Sequence, residues 1–232
     1  MSTKSAHGLR APIRVALVGI GARLPGKVVS ALRNVVGHVE LGANLKAAGA
    51  VGHPEIVQDD FGVFEVARQR VTGTRPLYLE FGVFEGRSMR WWSENLPQSE
   101  ARFFGFDSFE GLPENWQSGF PAGTFKTGQP PEIADDRITF VTGWFDETLP
   151  KFEVPDHDQL IVNIDCDLYS SATTVLTWIE PYVQPGTLIY FDEFPSPDHE
   201  MRAFKEFLVR SRRAAEPCAV SRNSYHWLFE VV

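Results

Sequence analysis

Cysteine is nearly absent from this 232-residue chain. Only Cys166 and Cys218 occur, too few for a disulfide scaffold or a thiolate zinc site. A basic surplus is missing too. Lysine and arginine total 22 against 30 aspartates and glutamates, a formal net charge of −8. That balance argues against nucleic acid as principal partner, because counterion release needs clustered basic residues. No apolar run approaches the roughly 20 residues of a membrane span. Val15–Ala22 follows Lys4, Arg10 and Arg14 in the manner of a weak signal segment. It runs on into Arg23 and Lys27 without a small-residue cleavage site, so it reads as mature sequence. Internal repeats and low-complexity tracts are lacking. Hydrophobic residues at 43% and charged residues at 22% exclude a disordered chain, and a cytoplasmic globular protein is the expectation.

What is present is a change of texture at about residue 75. Before it the chain reads as helical or irregular, with Ile56, Phe61, Phe64 and Ala67 at helical spacing after Pro54. After it, strand-length apolar runs alternate with amphipathic segments. The runs are Leu77–Phe81, Phe103–Phe106, Ile138–Thr142, Leu160–Ile164 and Thr187–Phe191. Helices are expected over Arg87–Leu96, near Phe145–Leu149, over Ser170–Tyr182 and from about Asp198, with last strands around Ala219–Ser221 and His226–Val231. Strands apolar on both faces and separated by helices signal a parallel sheet covered on both sides. The expected architecture is a doubly wound, Rossmann-like α/β domain over 76–232, preceded by a helical extension over 1–75.

Two glycine signals compete. Gly21-x-x-x-x-Gly26-Lys27 nearly matches a phosphate-binding loop, which makes an NTPase a rival reading. However, Val28 stands where the motif needs Ser or Thr for magnesium, and Arg23 and Pro25 interrupt the loop. A turn between helices is expected instead. The second signal, Glu80-x-Gly82-x-x-x-Gly86, lies between a strand and a helix, where glycine lets a ligand approach the backbone. The next strand ends at Asp107, about the distance at which a βαβ unit sets an acidic group on a ribose diol. Glu80 in the turn disfavours a pyrophosphate and suits a ligand with a ribose and a positive centre, such as S-adenosylmethionine (SAM). Beyond this turn, Asp165 and Asp167 follow one buried strand and Asp192 and Glu193 another. Four carboxylates on one sheet edge repel one another unless a cation intervenes, and all-oxygen ligands suit Mg²⁺. Asp165, Asp192 and Glu193 are the expected ligands, Asp167 serving equally as a helix cap.

The strings LEFGVFEGRS, FGFDSFEGLPE, VTGWFDETLP, NIDCDLYSSA and YFDEF together resemble the TylF-type family of class I SAM-dependent O-methyltransferases, typified by macrocin and mycinamicin O-methyltransferases of macrolide sugars. The resemblance covers Leu77–Phe194. It implies a sheet with a reversed last strand, SAM and Mg²⁺ as cofactors, and a small hydroxylated acceptor. By that resemblance Glu80, Gly82 and Gly86 line the methionine part, Asp107 the ribose, and Trp144 and Phe145 the adenine. Phe81, Ser88, Ser108 and Gly143 lie in the same strings and complete the expected cofactor set. Asp165, Asp192 and Glu193 fall on the metal positions, although the family usually has Asp-Asp or Asp-Asn where Asp192-Glu193 stands. For the general base, Asp165 and His199 are the candidates. The first 75 residues match nothing carried by the family and are expected to help form the acceptor pocket. A SAM-binding module without catalysis is the third functional reading, and a homo-oligomer is among the expected assemblies.

Overall fold

The computed structural model describes residues 11–47, 52–117 and 119–232. Eight strands form one sheet in the order β1-β7-β8-β6-β5-β2-β3-β4. The strands that follow the first helices are β2 (Pro76–Phe81), β3 (Arg102–Asp107), β5 (Gln159–Ile164), β6 (Leu188–Phe191) and, at the edge, β4 (Ile138–Thr142). All pair in parallel, and β8 (Trp227–Val231) runs antiparallel to both β6 and β7 (Ala215–Ser221). The reversed strand is therefore β8.

β2 and β5 are neighbours, yet the chain leaves β2 toward β3 and leaves β5 toward β6. This opens a crevice at the carboxyl ends of the central strands, where open α/β sheets bind ligands. Both faces are covered. One carries α5 (Phe145–Thr148), α6 (Tyr169–Ile179) and α7 (Glu200–Ser211) over a core that includes Phe81, Phe106, Val162, Phe191 and Phe204. The other carries α3 (Asp60–Gln69) and α4 (Arg87–Asn95) over Tyr78, Trp92, Phe103 and Tyr190. Burial of β2 on both faces explains why its sequence is apolar without alternation.

The N-terminal region departs from its helical reading at one point. Ile56 lies in a short strand, β1 (Glu55–Val57), paired in parallel with β7. The helix starts only at Asp60, because the Asp59 carboxylate accepts the Gly62 N–H at 3.0 Å and caps it there. Upstream lie α1 (Ala11–Gly21) and α2 (Gly26–Ala47). Val15–Ile20, which a phosphate-binding loop would need as a strand, is inside α1, and Gly26-Lys27 opens α2. The glycine–lysine string is a turn between helices. None of the described helices is long and apolar enough to cross a membrane.

Candidate active site

A cavity of about 990 Å³ opens over the carboxyl ends of β2, β3, β5 and β6. Gly82, Asp107, Ser108, Gly143, Trp144, Phe145, Asp165, Asp192 and Glu193 all line it. Of the other expected residues, Phe81 is in the core, while Glu80 and Ser88 are buried below the floor.

The floor is a glycine turn held by backbone and carboxylate. Gly82 has φ 92°, and a side chain there would meet the Asp165 carbonyl oxygen at 1.8 Å, so only glycine lets β2 and β5 leave the sheet this close together. Gly86, at φ 74°, precedes α4 and abuts Pro131 rather than the cavity. Asp107 fixes the turn: its Oδ2 accepts the N–H groups of Val83 and Phe84 at 2.8 and 2.9 Å, and its Oδ1 accepts that of Phe109 at 2.8 Å. These three bonds use most of its acceptor sites and leave about one for a further partner. Glu80 receives a hydrogen bond from Tyr78 Oη at 2.6 Å. Burial pushes its pKa up to about 8, so it is largely protonated at neutral pH.

The opposite wall is crowded with carboxylates. Burial, then the charges of Asp192 and Asp167, hold Asp165 well above the usual carboxylate range. Burial and the charges of Glu193 and Asp192 push Asp167 up to about 7, and Glu193 is raised by burial and by Asp192. Asp192 is the exception. Burial works against its charge, but hydrogen bonds with His226 Nδ1 at 3.0 Å and Tyr190 Oη at 2.9 Å outweigh it and hold the group below its ordinary value. Asp192 is thus the anionic member of the wall. Beneath it Glu200 is completely buried and kept protonated by desolvation. Its two oxygens accept the N–H groups of Cys166 and Glu193, each at 3.3 Å, so it ties the two acidic loops together.

This donor set suits a hard divalent ion in its chemistry, being all oxygen, acidic and mutually repelling. Among the described residues, however, no three His, Cys, Asp or Glu side chains are gathered closely enough to hold one. His199 precedes α7 and packs edge-on against Trp116, with ring centroids 6.2 Å apart; burial lowers its pKa. It does not line the cavity.

Several cavity residues escaped the sequence reading. Trp116, Phe120 and Phe125 come from the long segment between β3 and β4, and with Phe84 they form an aromatic wall. Arg87 stands at the rim, paired with Asp60 and 4.7 Å above the Phe61 ring. The glycine-turn string LEFGVFEGRS could have flagged Arg87. Nothing local marks Tyr190, His226 or Glu200, whose partners are fixed only by the sheet and by α7.

The family described as Methyltransferase domain matches residues 79–194, half of the chain. The chain belongs to this family. The matched stretch of this methyltransferase domain runs from the glycine turn to the second acidic pair, the stretch that builds the cavity. Curated relatives include the mycinamicin III 3''-O-methyltransferase of Micromonospora griseorubida, 27% identical over 41% of this chain and 36% of the relative. The demethyldecarbamoylnovobiocin O-methyltransferase of Streptomyces niveus is 25% identical over 52% of each chain. A tetracenomycin-C 4'-O-methyltransferase of Streptomyces olivaceus, acting on a rhamnosyl derivative by its name, is 34% identical over 27% of this chain and 23% of its own. The matches span about half or less of these relatives' length. Among solved structures the fold resembles the calicheamicin methyltransferase CalS11, with TM-score 0.57, 22% identity and coverage of 72% and 75%. It also resembles the O-methyltransferase NovP, with TM-score 0.55, 20% identity and coverage of 84% and 98%.

Proposed function

We propose that this methyltransferase-family chain carries a methyl group from SAM to a hydroxyl of a small acceptor, a sugar of a glycosylated natural product or glycolipid, with the help of Mg²⁺. The observation that carries this reading is the pairing, within one cavity, of a glycine-turn floor with a wall of carboxylates. The curated relatives' names, each an O-methyltransferase, support the reaction class. Buried thiols at Cys166 and Cys218 support a reducing, cytoplasmic setting.

SAM supplies an electrophilic methyl on a sulfonium, and the acceptor oxygen must approach it in line. The residues of the chain have three tasks. Gly82, Ser108, Asp107, Gly143, Trp144 and Phe145 hold and orient the cofactor, with Glu80, Phe81, Gly86 and Ser88 shaping the turn from beneath. The aromatic wall of Trp116, Phe120 and Phe125 packs on the acceptor and excludes water. Asp165 takes the acceptor proton as the carbon–oxygen bond forms, acting from its ionised state, which burial and its anionic neighbours disfavour and a nearby cation would restore. His199 stands beside Trp116 outside the cavity lining, so Asp165 is the proposed base of the two candidates. Asp165, Asp192 and Glu193 do not lie close enough together to hold a divalent ion as they stand; drawn together they would hold one, and it would supply Lewis acidity toward the acceptor hydroxyl.

Calorimetric titration with SAM, followed by a screen of hydroxylated acceptors for radiolabelled methyl transfer with and without EDTA, tests the reading. SAM binding and Mg²⁺-dependent transfer to a sugar hydroxyl are expected. A folded protein without SAM affinity would overturn the reaction class, and undiminished turnover in EDTA would overturn the role of the metal.

A further inference from the structure

Asp192 differs from its acidic neighbours in what holds it. Tyr190 precedes it by two positions, so both side chains lie on one face of β6 and its continuation. In the antiparallel register Phe191 faces Trp227, which sets His226 opposite Asp192, one step further along. The Tyr190 hydroxyl and His226 Nδ1 reach the same atom, Asp192 Oδ1, at 2.9 and 3.0 Å. An ionised carboxylate only accepts, so Tyr190 Oη–H and His226 Nδ1–H both donate. Asp192 Oδ2 has no hydrogen-bond partner among the described residues. The two donors are themselves fixed. The Tyr190 ring packs 4.7 Å from the Phe64 ring and lies parallel to the imidazole of His226. The His226 N–H donates to Ser221 Oγ at 3.1 Å, and its carbonyl accepts the Ser221 N–H at 3.0 Å. The Phe194 N–H donates to the Tyr225 carbonyl at 2.9 Å, which pins the turn between β7 and β8 to the loop carrying Asp192 and Glu193. The side chains of Asp165, Asp167 and Glu193 have no such partners among the described residues.

We propose that His226 and Tyr190 are positioning residues: by taking Oδ1 they aim Oδ2 of Asp192 into the cavity. Asp192 is then the fixed ligand toward which Asp165 and Glu193 are drawn when a divalent ion binds. The inference rests on the metal role proposed above. It gives a part in the site to the turn between β7 and β8, which lies outside the matched residues 79–194. Holding one ligand in place beforehand removes part of the ordering cost of binding. Outer partners that orient a metal ligand in this way change metal affinity about ten- to a hundredfold when they are lost.

Calorimetric titration of Mg²⁺ into the chelated full chain tests the assignment, with SAM titration as the control for the rest of the cavity. His226→Phe keeps a flat ring beside Tyr190 and loses the donor. It should weaken Mg²⁺ binding about ten- to a hundredfold, with SAM affinity within a few-fold and a native far-UV circular dichroism spectrum. His226→Asn returns an N–H near the place of Nδ1 and should recover most of that loss. Added to Asp192→Asn, His226→Phe should have little further effect, because a residue that acts through another loses its influence once that other is gone. Should His226→Phe not fold, Tyr190→Phe removes the second donor and carries the same cycle. Full Mg²⁺ affinity in the folded Phe variant, no recovery in His226→Asn, or additive losses in the double variant each overturn the proposal. A wild type that binds no Mg²⁺ removes the metal role, and crystal structures of the ligand-free wild type and variant then decide the positioning. An Asp192 carboxylate turned from its wild-type orientation in the variant supports it; an unmoved carboxylate overturns it.

Discussion

The two walls of the cavity are built on opposite electrostatic plans. At the ends of β2 and β3 the polar groups are already matched within the chain: Asp107 accepts three backbone N–H groups, and Glu80 is held by Tyr78. At the ends of β5 and β6, Asp165, Asp167 and Glu193 are all raised by burial and by neighbouring carboxylates, and of the four only Asp192 has side-chain hydrogen bonds that stabilise its charge. The first wall is finished before any ligand arrives. The second is unfavourable as it stands and gains from a cation. Under the proposed function, the matched wall would hold the cofactor and the acidic wall would carry the proton transfer.

The largest effect should come from breaking the acidic wall. Asp165→Asn is expected to lower methyl transfer by at least a hundredfold, the usual worth of a general base, with SAM affinity within a few-fold by calorimetry. The variant should melt no lower than the parent, since a repelling buried carboxylate has been removed. A large loss of SAM affinity instead would place Asp165 on the cofactor side.

Asp107→Ala attacks the finished wall and should behave differently. It orphans three backbone donors, so the expected loss is roughly 2–4 kcal/mol of stability, as for hydrogen bonds to a charged group, together with weakened SAM binding. Denaturant unfolding checks the first and calorimetry the second. A variant of full stability would show that these bonds are not what shapes the turn.

A third difference appears with pH. The folded-state pKa values of Glu80 and Asp167, about 8 and about 7, lie above their ordinary values. Between about pH 4 and pH 8 the folded chain therefore binds more protons than the unfolded one. Their contribution to stability is complete below pH 4 and is lost as pH rises through 7 and 8. The melting temperature of the ligand-free protein should fall from pH 5 to pH 8, and Glu80→Gln should flatten that slope. A melting temperature that climbs over this range would contradict the assignment. The smallest effect is expected at Lys27. Lys27→Ala, in the first turn of α2, should leave transfer within a few-fold; loss of activity in a folded variant would revive a phosphate-binding role.

Strands β2, β5 and β6 were legible because they are buried on both faces, and the edge strand β4 because its run is apolar although none of its residues is fully buried. β4 falls on Ile138–Thr142 as its apolar run indicates, and the turn Gln184-Pro185-Gly186 marks the approach to β6. β1 was hidden because three residues carry no period, and Ile56, 71% exposed, has the spacing of a helix only by coincidence with Phe61 and Phe64. Asp165, Asp192 and Glu193 could be placed on one edge because each ends a parallel strand. The roles of Tyr190, His226 and Glu200 were not legible, since each depends on contacts across the sheet or from α7 that no local pattern encodes. Asp107 shows the limit of spacing arguments: its position was readable, but its three backbone partners were not.

The most direct test of the divided site is titration of chelated protein with Mg²⁺ at pH 7, in two buffers of different ionisation enthalpy. Because Asp165, Asp167 and Glu193 hold protons more tightly than ordinary carboxylates, binding should release protons, and the observed heat should differ between the buffers. SAM affinity should stay nearly the same with and without the ion. Absence of Mg²⁺ binding, or binding without proton release, would contradict the account of the acidic wall.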